Sequence, residues 1–171
     1  MAETNPVFPK LALFLKNLYH DIQPEKKLHT LLKKTLSHYL AYFSASYGYM
    51  ILLDDSGNPN DTVILQAPHD PDDNQSILRT TASRSLADIL IQTRQPILIE
   101  NAYQDERINP ARGQVGGIES FSGDCAMGVP LMTGDRCHGV IVFFHPSTGF
   151  YKAEHLLHLQ SASYNTILMI D

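Results

Sequence analysis

Cysteine is nearly absent from this chain: Cys125 and Cys137 are the only two in 171 residues. Two thiols cannot build the disulfide framework that holds small secreted domains together. Both fall in or beside predicted strands, where a thiol serves as a small buried apolar group. Basic charge is scarce as well. Thirteen Lys and Arg stand against eighteen Asp and Glu, for a net charge of −5, and no positive stripe marks a nucleic-acid partner. No apolar run approaches the roughly 20 residues that span a bilayer. The amino terminus, Met1-Ala-Glu-Thr-Asn-Pro, lacks the basic start and apolar run of a signal peptide, so a cytoplasmic protein is expected. Gly-x-Ser-x-Gly, Walker-type and Gly-x-Gly-x-x-Gly motifs are missing. The nearest approach, Gly113-Gln-Val-Gly116-Gly117, follows no strand and opens no clear helix. These absences together predict no nucleic acid and no membrane.

What is present is a chain of ordinary globular composition, 43% hydrophobic and 18% charged. Its length suits one domain that buries about 70% of its unfolded surface. After Pro9, Leu11, Phe14, Leu15, Leu18 and Ile22 recur at helical spacing, and the predicted helix is about three turns long. Val7, Leu11, Phe14 and Leu18 alternate steps of four and three like a short heptad seam. Gln23-Pro24-Glu25 breaks that pattern, and Pro24 is read as the start of a second helix. Its apolar face runs through Leu28, Leu32, Leu36, Tyr39, Leu40 and Phe43, with Lys26, Lys27, Lys33 and Lys34 opposite.

A hairpin follows, from Tyr47–Leu53 through Asp54-Asp55-Ser56-Gly57-Asn58 to residues 62–65. Residues 68–75 read as a surface loop rich in Pro, Asp and Asn. Ser85-x-x-Asp88 resembles a capping box and predicts a short helix to about Thr93. Pro96 stops it before a short strand, Ile97-Leu98-Ile99. The stretch from Asn101 to Gly123 is irregular and glycine-rich, a length of loop that is usually functional. Cys125 to His145 then reads as strand, tight turn and strand, with Thr133-Gly134-Asp135-Arg136 as the turn. A last helix from about Lys152 carries an apolar arc wide enough for burial on more than one side. No glycine or proline ends it, so it is expected to continue into a further domain.

The Val129-Pro130-Leu131 lead into this hairpin, with Gly139-Val140 opening the return strand, resembles the C-terminal hairpin of GAF domains. Other local signatures stand in the same order. They are Tyr49 to Asp54 with Gly57, Thr93 to Ile99, Asn101-Ala102 with Asp105 and Arg107, Ile118-Glu119-Ser120, and Phe150. The resemblance implies an α/β (α+β) fold: a central antiparallel sheet flanked by helices, with the N- and C-terminal helices packed together on one face. Residues 1–23 would form the N-terminal dimerisation helix and residues 24–171 the GAF-like domain ending in a signalling helix.

The function so implied is a sensory or regulatory module, a binding domain rather than an enzyme. A small molecule of unknown identity would lie between the sheet and residues 102–123. By position its contacts would be Tyr103, Ile108, Phe121 and Met127, with Asp105 and Arg107 as polar anchors. A homodimer would form through Val7, Leu11, Phe14 and Leu18 and pass the signal to an output domain such as a kinase, a cyclase or a transcriptional activator. The plainer alternative for these helices is that they cover the chain's own sheet. A ligand-free docking module is the second functional reading.

Three chemistries known among GAF proteins fit the residues less well. Bilin attachment uses a cysteine before the fourth strand, whereas Cys137-His138 opens the last strand. Methionine sulfoxide reduction needs a nucleophilic thiolate and a resolving thiol. Cys125 lies too close to the strand for that role, and the chain has no tryptophan, which those enzymes carry in a signature motif. For cyclic nucleotides, only Asp105-Glu106 matches the scattered signature. His155 and His158, three apart on the last helix, could face one metal, but nothing nearby completes a site. Neither bilin nor metal is expected.

Overall fold

The computed structural model describes residues 7–24, 26–66, 81–102, 104–107 and 125–170. Among them are four helices, α1 (Val7–Ile22), α2 (Leu28–Tyr42), α3 (Thr81–Thr93) and α4 (Ala153–Ile170). Five strands accompany them: β1 (Tyr47–Leu53), β2 (Pro59–Gln66), β3 (Ile97–Ile99), β4 (Cys125–Thr133) and β5 (Arg136–His145). The strands form one antiparallel sheet in the order β2-β1-β5-β4-β3.

The central strand explains the layering. Val140 through Phe144 are all buried, and a strand apolar on successive residues must be covered on both faces. One face receives α2 and α4, with α1 laid against both. There Met50, Cys125, Met127, Val129, Leu131, Ile141 and Phe143 meet the helices' inner faces. The other face receives α3, whose Leu86, Ala87 and Leu90 meet Tyr49, Ile51, Ala126, Val140, Val142 and Phe144.

The helical layer is knit by aromatic rings. Phe14 of α1 stacks on Tyr42 at 4.3 Å and tilts against Tyr39 at 5.4 Å. Tyr39 meets Phe43 and Phe143 edge-on. Its hydroxyl donates to the carbonyl of Ala162 at 2.8 Å and bonds the hydroxyl of Thr166, so α2 is tied to α4 in a dry core. Burial pushes the Tyr39 hydroxyl up, and the bond to Thr166 opposes that. On the surface, His38 reaches Asp21 at 2.8 Å and holds that carboxyl below its ordinary value.

The ends of the elements depart from the sequence expectations in instructive ways. Helix α2 begins at Leu28, not at Pro24, and Lys27 precedes it with no side-chain cap. Its other end is a Schellman turn. Ala45 N–H bonds Leu40 O at 3.0 Å and Ser44 N–H bonds Ala41 O at 3.4 Å, with Ser44 at φ +51°. Helix α3 begins at Thr81, so Ser85 lies inside it rather than capping it. Helix α1 has 16 residues, longer than three turns. The predicted loop at 68–75 lies outside the described residues.

The dimer seam requires a correction at the level of residues. Leu11, Phe14 and Leu18 are buried within their own chain against α2 and the core, while Val7 starts α1. At Leu11, Phe14 and Leu18 the spacing therefore reports packing inside one chain.

Two substitutions test this architecture. Tyr39→Phe is expected to cost about 1–3 kcal/mol, because it removes the hydroxyl from a buried hydrogen-bonded cluster. Urea denaturation at neutral pH reads that loss directly. At Gly139 an added Cβ would stand 2.1 Å from the carbonyl oxygen of Ile51 in the neighbouring strand. Gly139→Ala must push β1 and β5 apart, and a loss of about 1–3 kcal/mol or more is expected in the same assay.

Candidate functional site

Period-two alternation decides which residues a ligand on the sheet could meet. On β4, Cys125, Met127, Val129 and Leu131 face the α1–α2–α4 side, whereas Ala126 faces α3. Gly128 faces α3 too, since a Cβ there would stand 2.7 Å from Leu90 Cδ1. Met127 is therefore not a contact of the expected pocket; it is buried on the opposite face of the sheet. The sequence did carry the signal. The two small residues of the strand, Ala126 and Gly128, alternate with large ones, and small residues are what a closely packed helix demands.

The α3 face is aromatic at one end. Tyr47 stacks on Phe144 at 4.5 Å with planes 12° apart, and Tyr49 tilts against Phe144 at 6.4 Å. The Tyr49 hydroxyl is pushed up by burial and, to a lesser degree, by Asp88 of α3. Both tyrosines are buried. This face thus carries stacked aromatic rings packed in the core beneath α3.

At the same end of the strands, on the β3 edge of the sheet, begins the connection from β3 to β4. Asn101 organises a turn, accepting Gln104 N–H and Asp105 N–H on its carbonyl at 3.2 and 3.1 Å. Asp105 and Arg107, expected as polar anchors, are brought together. Asp105 Oδ1 accepts from the Arg107 backbone N–H and Nε at 2.9 Å each, and Oδ2 from Nη2 at 2.6 Å. That bidentate pair raises the Arg107 guanidinium further, against the opposing effect of burial. Nη2 also reaches Leu98 O at 3.4 Å, so the arginine caps the short strand β3. A ligand using either group would have to share it with the other. Tyr103, Ile108 and Phe121 lie outside the described residues.

Among the described residues two grooves lie elsewhere. One, of about 270 Å³, runs between α4 and the β3–β4 side of the sheet, past Arg94, Pro96, Val129, Met132, Tyr164 and Ile167. A shallower one of about 420 Å³ lies along α4 at Leu157, Ser161, Tyr164 and Asn165. Around them α4 exposes a stripe of its own: Leu157 is 58%, Tyr164 57% and Leu168 58% exposed. On α1, Leu13 and Tyr19 are exposed as well, at 59% and 53%.

The thiols are far apart. Cys125 pairs across the hairpin with His145, and Cys137 with Met132. Seven residues of strand at about 3.3 Å each separate these positions. Cys125 is buried on the helical face and accepts Tyr151 N–H at 3.5 Å. Cys137 is half-buried and donates to Gly139 O at 3.3 Å. His138 is bonded to Thr133 Oγ1. His155 Nδ1 accepts Lys152 N–H at 2.9 Å, and His158 Nδ1 is bonded to Tyr42 OH at 3.2 Å. No group of three metal-ligating side chains stands together among the described residues. No helix among them is long and apolar enough to cross a membrane.

The fold agrees with solved structures over most of its length. The GAF domain of an Acinetobacter phosphoenolpyruvate-protein phosphotransferase is similar, with a TM-score of 0.67 and 16% identity over 94% of this chain and 92% of that one. A domain of a putative two-component sensor histidine kinase from Sinorhizobium meliloti 1021 gives a TM-score of 0.57 and 11% identity over 85% and 92%. The free methionine-R-sulfoxide reductase from Neisseria meningitidis gives 0.56 and 14% over 94% and 89%. At such identities the likeness is one of fold. No curated protein matches the chain. The family model described as GAF domain matches residues 25–171, and with the five-stranded antiparallel sheet and its helices this makes the chain a member of the GAF domain family.

Proposed function

We propose that this GAF domain is a sensory or regulatory module of the cytoplasm, and that it works as a homodimer. In this reading a small molecule lies against the α3 face of the sheet, beneath the connection from β3 to β4. Helices α1 and α4 carry the response to an output domain such as a kinase, a cyclase or a transcriptional activator. The observation that supports it best is the two-sidedness of α4. Its inner side, with Leu159, Ala162 and Ile167, is buried in the core. Leu157, Tyr164 and Leu168 form a second stripe, because steps of seven and four return to the same side of a helix. A helix anchored on one side and apolar on the other is suited to meet a second copy of itself. The partner surface in this reading is that stripe with Leu13 and Tyr19, in place of Leu11, Phe14 and Leu18.

The reading as a binding module rather than an enzyme draws on the thiols. A sulfoxide reductase needs an accessible thiolate with a second thiol in reach. Cys125 instead lies sealed on the helical face, with Cys137 far along the hairpin. The similarity to a sulfoxide reductase is of fold, and these positions favour the sensor. A ligand-free dimerisation module is the second reading, supported by how completely α3 covers the sheet face it packs on.

Two measurements test the proposal. Native mass spectrometry of the purified chain is expected to show a dimer carrying a reproducible extra mass. A bare dimer would favour the docking module, and a monomer would remove the dimer mechanism. Leu157→Glu combined with Leu168→Glu is expected to give a folded monomer in sedimentation velocity. By contrast, Leu18→Glu, which puts a charge into the chain's own core, is expected to unfold the domain. A double variant that sediments as a dimer would refute the α4 interface.

A further inference from the structure

The connection from β5 to α4 holds a cluster of rings that the sensor reading does not use. Phe150 stacks on His145 with centroids 3.5 Å apart and planes 4° apart, and on its neighbour His155 at 5.7 Å and 26°. Tyr151 stands edge-on to all three, at 75° to His145, 74° to Phe150 and 69° to His155. Tyr151 is buried, and its hydroxyl has no hydrogen-bond partner among the described residues.

Both imidazoles do the same chemical job. His145 Nδ1 accepts Ser147 N–H at 3.0 Å, and His155 Nδ1 accepts Lys152 N–H at 2.9 Å. Lys152 immediately precedes α4, and His155 is the third residue of that helix. A side chain at that position reaching back to the capping residue's N–H is half of a capping box, a role usually filled by Glu or Gln. Unlike a glutamine, an imidazole accepts through Nδ1 only while that nitrogen is unprotonated. The geometry therefore sets both rings as the neutral Nε2–H tautomer.

We propose that the β5–α4 connection is a proton-operated clasp: neutral His145 and His155 hold the root of α4, and acidification releases it. Protonation turns each acceptor into a donor facing another donor. It also places a cation at the positive end of the α4 dipole. The surrounding groups mostly point the same way. Burial holds both histidines below their ordinary value, and at His145 the neighbouring His155 adds to it. At His155, Glu154 favours the cation, while His158 and Lys152 disfavour it. Tyr42 of α2 engages His158, not His155. From β4, Cys125 lies beneath Tyr151. After β3, Glu100 gives its carbonyl to Gly149 N–H at 2.9 Å, and its carboxyl and Lys152 Nζ both lie over Gly149.

The sign follows from linkage. With folded values depressed, the clasp contributes fully above about pH 6.5, the ordinary value for histidine, and is lost as pH falls below it through the depressed values. The effect sits at the root of α4 and does not depend on the proposed ligand, so either can fail without the other.

The test is nuclear magnetic resonance of the full chain. Long-range proton–nitrogen spectra should give the Nε2–H tautomer for both rings, with midpoints below 6.5. Exchange of the Ser147 and Lys152 amides, taken relative to α2 amides in the same sample, should rise between pH 7.5 and 5. The rise should be about tenfold for each pH unit of depression. His155→Gln keeps a neutral acceptor and should hold Lys152 protected at both pH values. An Nδ1–H tautomer, a midpoint at or above 6.5, a relative exchange rate that stays constant, or a His155→Gln protein that responds like the wild type would each overturn the proposal.

Discussion

The hydroxyl of Tyr39 has no water to turn to, and the helical layer is arranged around that fact. A buried phenol must find an acceptor within the protein or forfeit a hydrogen bond worth more than its net contribution to folding. Here it finds Ala162 O and Thr166 Oγ1, both on α4. The same ring touches Phe14 of α1, Phe43 at the end of α2 and Phe143 of the central strand. One side chain thereby fixes α4 against α2 in rotation as well as distance, because a hydrogen bond is directional where apolar packing is not. Helix α1 then has a surface of defined shape to lie on. Its own contribution is apolar, through Leu11, Leu18 and Ile22, and a single exposed pair, Asp21–His38, adds little to it.

The constraint on the other face is of a different kind. There α3 packs so closely that Gly128 leaves no room for a Cβ beneath Leu90. Leu86, Leu90, Ala126, Val140 and Val142 are all sealed from solvent. A ligand under α3 would have to displace apolar contacts that already fill the face. The first turn of the connection from β3 to β4 is held both by Ala102, buried in the core under α3, and by the polar contacts of Asn101, Asp105 and Arg107. This asymmetry sets the sensor reading against the docking module in physical terms. It also explains why polar anchors are better sought in residues 101–107 than among the tyrosines of β1.

Much of this was legible in the sequence because burial leaves a period. The apolar run Val140 to Phe144 was legible as a strand and Gly134 as its turn, which the structure places at φ +56°. The wide apolar arc of the last helix led to an expectation of burial on more than one side; the structure buries one side in the core and leaves Leu157, Tyr164 and Leu168 exposed. What failed did so for stated causes. Met127 was assigned to the wrong face because a single residue's shift reverses every side chain of a strand. Heptad spacing in α1 states that a partner exists, not whose chain supplies it. Pro24 and Ser85 are valid helix-start residues that tertiary packing overrode by three or four positions. The histidine caps at 145 and 155 were invisible because imidazole is not among the usual capping residues.

Helix α4 is attached at two points along its length. It spans 18 residues, about 27 Å at 1.5 Å per residue. His155 holds it at the root, and Thr166 holds it three turns further on. Between them its inner side buries Leu159, Ala162 and Ser163. A hydrogen bond lost at the root leaves the Tyr39–Thr166 attachment in place, so the helix would respond by pivoting about that point rather than by detaching. The outer stripe from Leu157 to Leu168 spans the same interval, and a pivot would move its near end more than its far end. A contact surface that ran perpendicular to the helix would average such a motion away; one that runs along it converts a tilt into a change of register. The geometry that makes α4 apolar on two sides thus also makes it sensitive to what holds its first turn.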